Sequence, residues 1–138
     1  MTAVIADTGP IVSLLDGSDS HHSWARACFR QLAPPLATFE AVLCEAYFLL
    51  QRFPPGKRTL LKMISGGAFF LPFHLGDHLP DIAKLLVKYD DTPMDFADAC
   101  LVRMAETSRD PKIWTIDSDF KIYRLNNRRV IPVLAPWS

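Results

Sequence analysis

Two short apolar runs stop at an aspartate that opens a helix, and this pattern limits the folds open to the chain. Ala3 to Ala6 is too short for a helix and suits a buried strand; Asp7-Thr8-Gly9-Pro10 ends it. Pro10 fits the first turn of a helix running to about Leu15. Ile113 to Ile116 repeats the device, with Asp117-Ser118-Asp119 starting a short helix towards Leu125. Ala68 to Leu71 and Val130 to Leu134 are further strand candidates. Helical spacing lies between them. Ser20 is the expected cap of a helix carrying Trp24, Ala27, Cys28 and Leu32, closed by Pro34-Pro35. Thr38 to Arg52 follows, with Phe39, Val42, Leu43, Ala46, Leu49 and Leu50 as its apolar face. Lys57 to Ile64 reads as a short basic helix, and Asp77 to Tyr89 as one burying Leu79, Ile82, Ala83, Leu85 and Leu86. Thr92 to Thr107 reads as a helix capped by Thr92, with Asp95 closing a capping box. Strands alternating with helices, and no hairpin signal, predict an α/β fold: a three-layer α/β/α sandwich with a mainly parallel central sheet.

Composition narrows the function. The 138 residues carry 15 Lys plus Arg against 15 Asp plus Glu, a formal net charge of zero. Grip on nucleic acid through an overall positive field is disfavoured, and local patches remain. One domain over residues 1–138 is expected. No segment reads as a targeting sequence or membrane span, so a soluble cytoplasmic protein is expected. Cys28, Cys44 and Cys100 form no C-x-x-C pair; buried thiols in a reducing compartment explain them better than zinc.

The chemistry lies in the acids. In an open parallel sheet, ligands bind beyond the carboxyl ends of the strands, and Asp7 and Asp117 each end one. Capping is the plain alternative for either alone. Asp95 and Asp98 share a helix face. Glu45 sits among Val42, Leu43, Ala46, Tyr47 and Phe48, where an unpaired carboxylate is costly unless it faces solvent or holds a cation. Clustered carboxylates offer only oxygen, which suits Mg²⁺ or Mn²⁺ and hence phosphoryl chemistry. No phosphate-binding glycine loop, no Gly-x-Ser-x-Gly elbow and no second aspartate at position 9 support the other routes. His21 and His22 read as surface residues. His74 and His78 have metal-pair spacing, but Gly76 lies between them.

Asp7-Thr8, then Glu45, then Asp98-Ala99-Cys100-Leu101 with Ala105, then Thr115-Ile116-Asp117-Ser118-Asp119-Phe120 is an order that resembles the PIN domain family. Within it the chain is most similar to small single-domain toxins of the VapC type, from about Val4 to Val133. The resemblance implies a Mg²⁺- or Mn²⁺-dependent endoribonuclease using activated water and leaving a 5′-phosphate and a 3′-hydroxyl. Asp7, Glu45, Asp98 and Asp117 match the four family acids, and Asp119 a frequent extra one. Asp95 stands between a capping role and a ligand role. A small polar residue often follows the first Asp-Thr in the family; here Gly9-Pro10 follow. The implied partners are RNA, a second copy in a homodimer and a small antitoxin protein. The alternatives are a catalytically silent PIN-like binding module and a non-toxin nuclease of RNA processing. Two basic groups, Arg52, Lys57, Arg58 and Lys62, and Lys121, Arg124, Arg128 and Arg129, are candidates to track phosphates. Arg103 is expected to pair with Glu106 or another acid. Trp24, Trp114 and most phenylalanines read as core.

Overall fold

The computed structural model describes residues 4–138, so Ala3 of the first expected strand lies outside the described residues. The first strand, β1, is Val4–Ala6, and Asp7 caps α1, Thr8–Leu15, by accepting the Thr8 N–H. Pro10 sits in the first turn, where a missing N–H costs nothing. α2 spans His22–Gln31. His21 precedes it, rather than Ser20 as the sequence suggests. The turn is fastened by Asp19, whose Oδ1 accepts from the His21 N–H at 2.8 Å and the Ser13 hydroxyl at 2.9 Å. The first N–H of α2, that of His22, donates to the Asp19 carbonyl at 3.0 Å, and no side chain caps the helix.

β2, Leu36–Ala37, was not legible in the sequence. Two residues are too few for any alternation to register. Thr38 extends it instead of opening a helix: its N–H donates to the Phe70 carbonyl at 3.1 Å and its hydroxyl to the Ala6 carbonyl at 2.9 Å. α3 therefore starts later, spanning Glu40–Leu49, and a 3₁₀ turn covers Leu50–Arg52. α4, Pro54–Ser65, begins at the prolines that the sequence suggested as a break. β3 is Phe69–Phe70, and a 3₁₀ turn at Leu75–His78 leads into α5, Leu79–Lys88. α6 spans Phe96–Glu106 and β4 Lys112–Trp114.

Thr92 does not cap α6. Its hydroxyl donates to the Tyr89 carbonyl at 2.7 Å, closing the turn after α5. Asp95 is the cap, and the box is Asp95 with Asp98: the Asp98 N–H donates to Asp95 Oδ1 at 2.7 Å, and the Asp95 N–H to Asp98 Oδ2 at 3.3 Å.

Chain order continues through a 3₁₀ turn at Ser118–Lys121, then β5, Arg124–Leu125, β6, Arg129–Val130, and β7, Val133–Leu134. β5 and β6 pair antiparallel, a hairpin that the sequence reading denied. Asn126 and Asn127, at φ of 51° and 62°, make its turn. Asparagine tolerates this left-handed conformation better than most residues.

The main sheet runs β3-β2-β1-β4-β7 with every pairing parallel. α1 packs on α2, α3 and α4; α5 packs on α6, and α6 lies against β1 and β4. The helices thus flank a mainly parallel sheet, as expected. Ile5, Ala6, Ile113 and Trp114 are fully buried between them. Gly56 marks the closest approach of α4 to α1: a Cβ there would collide with the Leu15 carbonyl oxygen.

Several expected core positions differ. On α3, Val42, Ala46 and Leu50 are buried as read, whereas Leu43 is half-buried and Leu49 exposed. On α5, Ile82 and Leu85 are buried, but Leu79 and Ala83 are exposed. Phe39, Phe73 and Phe120 are core, while Phe48, Phe70 and Phe96 face solvent. Only Cys100 is a buried thiol; Cys28 is half-buried and Cys44 exposed. Periodicity reports that a helix has an apolar side, but the side used is set by neighbouring helices.

Candidate active site

Register places the first two acids. β1 and β4 align Ala6 with Trp114, so the residues just past them, Asp7 and Thr115, emerge side by side. The Asp7 N–H donates to the Trp114 carbonyl at 3.0 Å, continuing the ladder by one bond. Asp7 Oδ1 accepts from the Thr8 N–H at 2.7 Å, and Oδ2 from the Thr115 hydroxyl at 2.8 Å. The same Thr115 oxygen accepts from the Asp117 N–H at 3.0 Å. Asp117 Oδ1 in turn accepts from the Asp119 N–H at 2.9 Å, capping the 3₁₀ turn. Asp7, Thr115 and Asp117 are thus one hydrogen-bonded chain at the carboxyl edge. Thr115 was not singled out from sequence, although it lies in the Thr-x-Asp segment.

Gly9 keeps this edge closed. A Cβ on it would lie 2.6 Å from Cγ1 of Ile116, the residue between Thr115 and Asp117. Gly9 therefore lets the first turn of α1 lie against the segment that carries Asp117. That is the physical role of the departure from the family pattern.

α6 brings the third acid. Asp98 is buried at its third position, and Oδ2 accepts from the Asp95 N–H and from the Tyr123 hydroxyl at 3.2 Å. Asp95 itself is exposed and does the capping. Glu45 is exposed on α3, yet its charge is felt at Asp7. Asp119 is half-buried beside Asp117.

Protonation records how close these groups are. Burial pushes the Asp7 carboxyl up to about 6; the Thr115 and Thr8 donors oppose it, and the charges of Asp117 and Glu45 add to it. Burial pushes Asp98 up to about 7, with the charges of Asp95, Asp117 and Asp7 adding to it. Asp119 is raised by burial and then by Asp117. Arg103 pairs with Asp81 at 3.3 Å and Glu106 at 3.5 Å, and neither pair reaches this cluster. His78 is engaged there too: its Nδ1 accepts from Arg103 Nε at 3.2 Å, and its ring stacks on Phe73.

The donor set is all oxygen, and neither Arg103 ion pair reaches it, which fits a hard divalent ion chemically. Yet among the described residues no three His, Cys, Asp or Glu side chains are grouped to hold a metal ion as they stand. The acids form a shared electrostatic neighbourhood, and ligation requires side chains to draw inward.

The basic candidates divide. Arg124 Nη1 donates to the carbonyls of Lys121, Ile122 and Tyr123, which ties that end of its guanidinium to its own loop. Lys121 stands over the Trp137 ring at 4.7 Å, and Lys57 over Tyr47 at 5.7 Å. Arg52, Arg58, Lys62, Arg128 and Arg129 are exposed.

A parallel sheet whose carboxyl edge gathers Asp7, Asp98 and Asp117 defines an α/β protein with an acidic site. Residues 4–125 match the PIN domain, and the chain belongs to that family. Ribonuclease VapC26 of Mycobacterium tuberculosis is 25% identical over 116 residues, which cover 83% of this chain and 86% of that protein. The crystal structure of Mycobacterium tuberculosis VapC20, a Sarcin-Ricin loop cleaving toxin, superposes with a TM-score of 0.76 at 20% identity, covering 87% of this chain and 94% of that one. Among the described residues no helix is long and apolar enough to cross a membrane.

Proposed function

We propose that the protein is a metal-dependent endoribonuclease, acting as the toxin of a type II toxin–antitoxin pair in the cytoplasm. The observation that carries the reading is the hydrogen-bonded Asp7–Thr115–Asp117 chain together with buried Asp98, whose carboxyl feels the charges of both aspartates. Similarity to a ribonuclease and to a Sarcin-Ricin loop cleaving toxin supports the substrate class.

Asp7, Asp98 and Asp117 would hold Mg²⁺ or Mn²⁺, with Glu45 closing the site from α3 and Asp119 at its rim. Bound there, the ion would polarise the phosphodiester and make hydroxide available near neutral pH. Thr115 fixes Asp7 Oδ2 and the Asp117 backbone together, so the two acids move as a unit. The half-buried setting limits bulk water around Asp7 and strengthens every charge interaction there. Water is the expected nucleophile, giving a 5′-phosphate and a 3′-hydroxyl. Exposed Arg58, Arg128 and Arg129, with Lys57, are the proposed phosphate contacts. Exposed Phe48 and Val87, 71% and 77% accessible, are apolar surface that a homodimer or an antitoxin would cover.

The test is RNA cleavage by pure protein with Mg²⁺, Mn²⁺ or EDTA, beside Asp7→Asn. Cleavage restored by either ion and abolished in the variant is the expected result. Metal binding without cleavage of any RNA would favour the silent module. Cleavage without growth arrest on expression would favour an RNA-processing nuclease.

A further inference from the structure

We infer that Tyr123 is a positioning residue for Asp98, assigning the two carboxylate oxygens different tasks; the inference rests on the proposed metal site. Tyr123 lies directly after the 3₁₀ turn and its neighbour Ile122, just before β5, and is fully buried. Its ring is held edge-on against Tyr89, centroids 5.2 Å apart, and against Phe120 at 5.4 Å. That packing leaves the hydroxyl one fixed direction, and it donates to Asp98 Oδ2 at 3.2 Å.

The same Oδ2 accepts the Asp95 N–H at 3.3 Å. Two donors from two separate elements converge on one oxygen. The cap comes from the start of α6, and the hydroxyl comes from a segment 25 residues further on. Oδ1 of Asp98 makes no hydrogen bond among the described residues. The carboxylate is therefore oriented with Oδ2 turned to the protein and Oδ1 left for a ligand. In this orientation Oδ1 is the oxygen that Asp98 would offer to a cation. The cap N–H reaches Oδ2 from within the helix start, and the Tyr123 hydroxyl adds a second, non-local donor that holds the carboxylate in this orientation. Outer contacts of this kind tune metal affinity by about 10- to 100-fold.

Tyr123→Phe removes only the hydroxyl and keeps both ring contacts. The variant is compared with wild type and Asp98→Asn by Mn²⁺ titration, read by water-proton relaxation, with circular dichroism to verify the fold. The expected result is an unaltered fold, Mn²⁺ affinity lowered about 10-fold or more, and kcat for RNA cleavage lowered with KM for RNA unchanged. A purely structural tyrosine would leave Mn²⁺ affinity alone. Wild-type Mn²⁺ affinity in Tyr123→Phe, with binding lost in Asp98→Asn, overturns the inference and leaves the metal site standing. No Mn²⁺ binding by wild type, or full binding by Asp98→Asn, overturns both. Should Tyr123→Phe not fold, Asp95→Ser provides the second arm. It keeps the backbone N–H on Oδ2 and the Tyr123 hydroxyl, so at pH 8, where Asp98 is largely ionised in both proteins, its Mn²⁺ affinity should stay within about threefold of wild type. A loss as large as that of Asp98→Asn would refute the division of tasks.

Discussion

Replacing Asp7 by asparagine should stabilise the metal-free protein, and only above a certain pH. The Asp7 carboxyl stands at about 6 instead of 3.8. At about 1.4 kcal/mol per unit, holding its charge in the fold costs about 3 kcal/mol. Asparagine removes that cost but loses part of the hydrogen bonding. Its Oδ1 can keep the Thr8 N–H, but its amide then faces the Thr115 hydroxyl, which already accepts from Asp117. Losing one charge-assisted bond costs about 1–2 kcal/mol. The net gain is about 1–2 kcal/mol.

The pH dependence follows from the direction of the shift. Below 3.8 the carboxyl is neutral in both states, and wild type suffers no penalty. Between 3.8 and about 6 the unfolded chain ionises while the fold retains its proton, so wild-type stability falls. Above about 6 the loss is complete and constant. With 138 residues and about 2 cal/mol/K per residue of unfolding entropy, 1 kcal/mol is worth about 3–4 °C. Thermal unfolding in EDTA should therefore give Asp7→Asn a Tm about 3–7 °C above wild type at pH 8, and no advantage at pH 4. Saturating Mg²⁺ should raise the Tm of wild type and leave that of the variant unmoved. A Tm difference in EDTA that is the same at pH 4 and pH 8 would refute the account of Asp7 as a charge held against its environment.

Asp95→Ala should lose about 1 kcal/mol in chemical denaturation and Asp95→Ser almost nothing, while both lower the carboxyl pKa of Asp98 in NMR titration, because the Asp95 charge is the second cause of its rise. Mn²⁺ affinity should weaken on going from pH 8 to pH 6, by up to about tenfold per displaced proton per pH unit, since Asp98 at about 7 and Asp7 at about 6 begin to hold protons there; a flat isothermal titration profile would contradict this. Thr115→Val should cost about 1–3 kcal/mol by stranding the Asp117 N–H and should cut RNA cleavage more than it cuts RNA binding, measured in parallel on the folded variant. RNA affinity should fall only shallowly with salt, reflecting a few phosphates, and combined charge reversal at Lys57, Arg58, Arg128 and Arg129 should flatten the slope further; an unchanged slope returns them to a solvated surface.

What the sequence determined by itself was local in origin. An apolar run, an aspartate and a helix start lie within a few residues of one another at Asp7 and again at Asp117, so strand end, cap and candidate acid could all be read together. Parallel pairing then follows from strand–helix alternation and puts both ends on one edge. Where segments were ambiguous or very short, that reading failed. β2 is two residues long, and the Asn126-Asn127 turn was passed over. Thr92 and Asp95 both have capping-box spacing, three residues from Asp95 and Asp98 respectively. Packing chose the later pair, because α5 ends in a turn that consumes the Thr92 hydroxyl. Glu45 reads as an anomaly in an apolar stretch, but α3 turns it outward together with Tyr47 and Phe48. Tertiary structure alone decided the contacts that join the acids. Thr115 meets Asp7 108 positions away in the chain, and Tyr123 meets Asp98 25 positions away. Such bonds are set by the register of β1 against β4 and by the packing of Tyr123 on Tyr89 and Phe120. No local pattern encodes either, because the free energy that fixes them is the burial of the whole core around them.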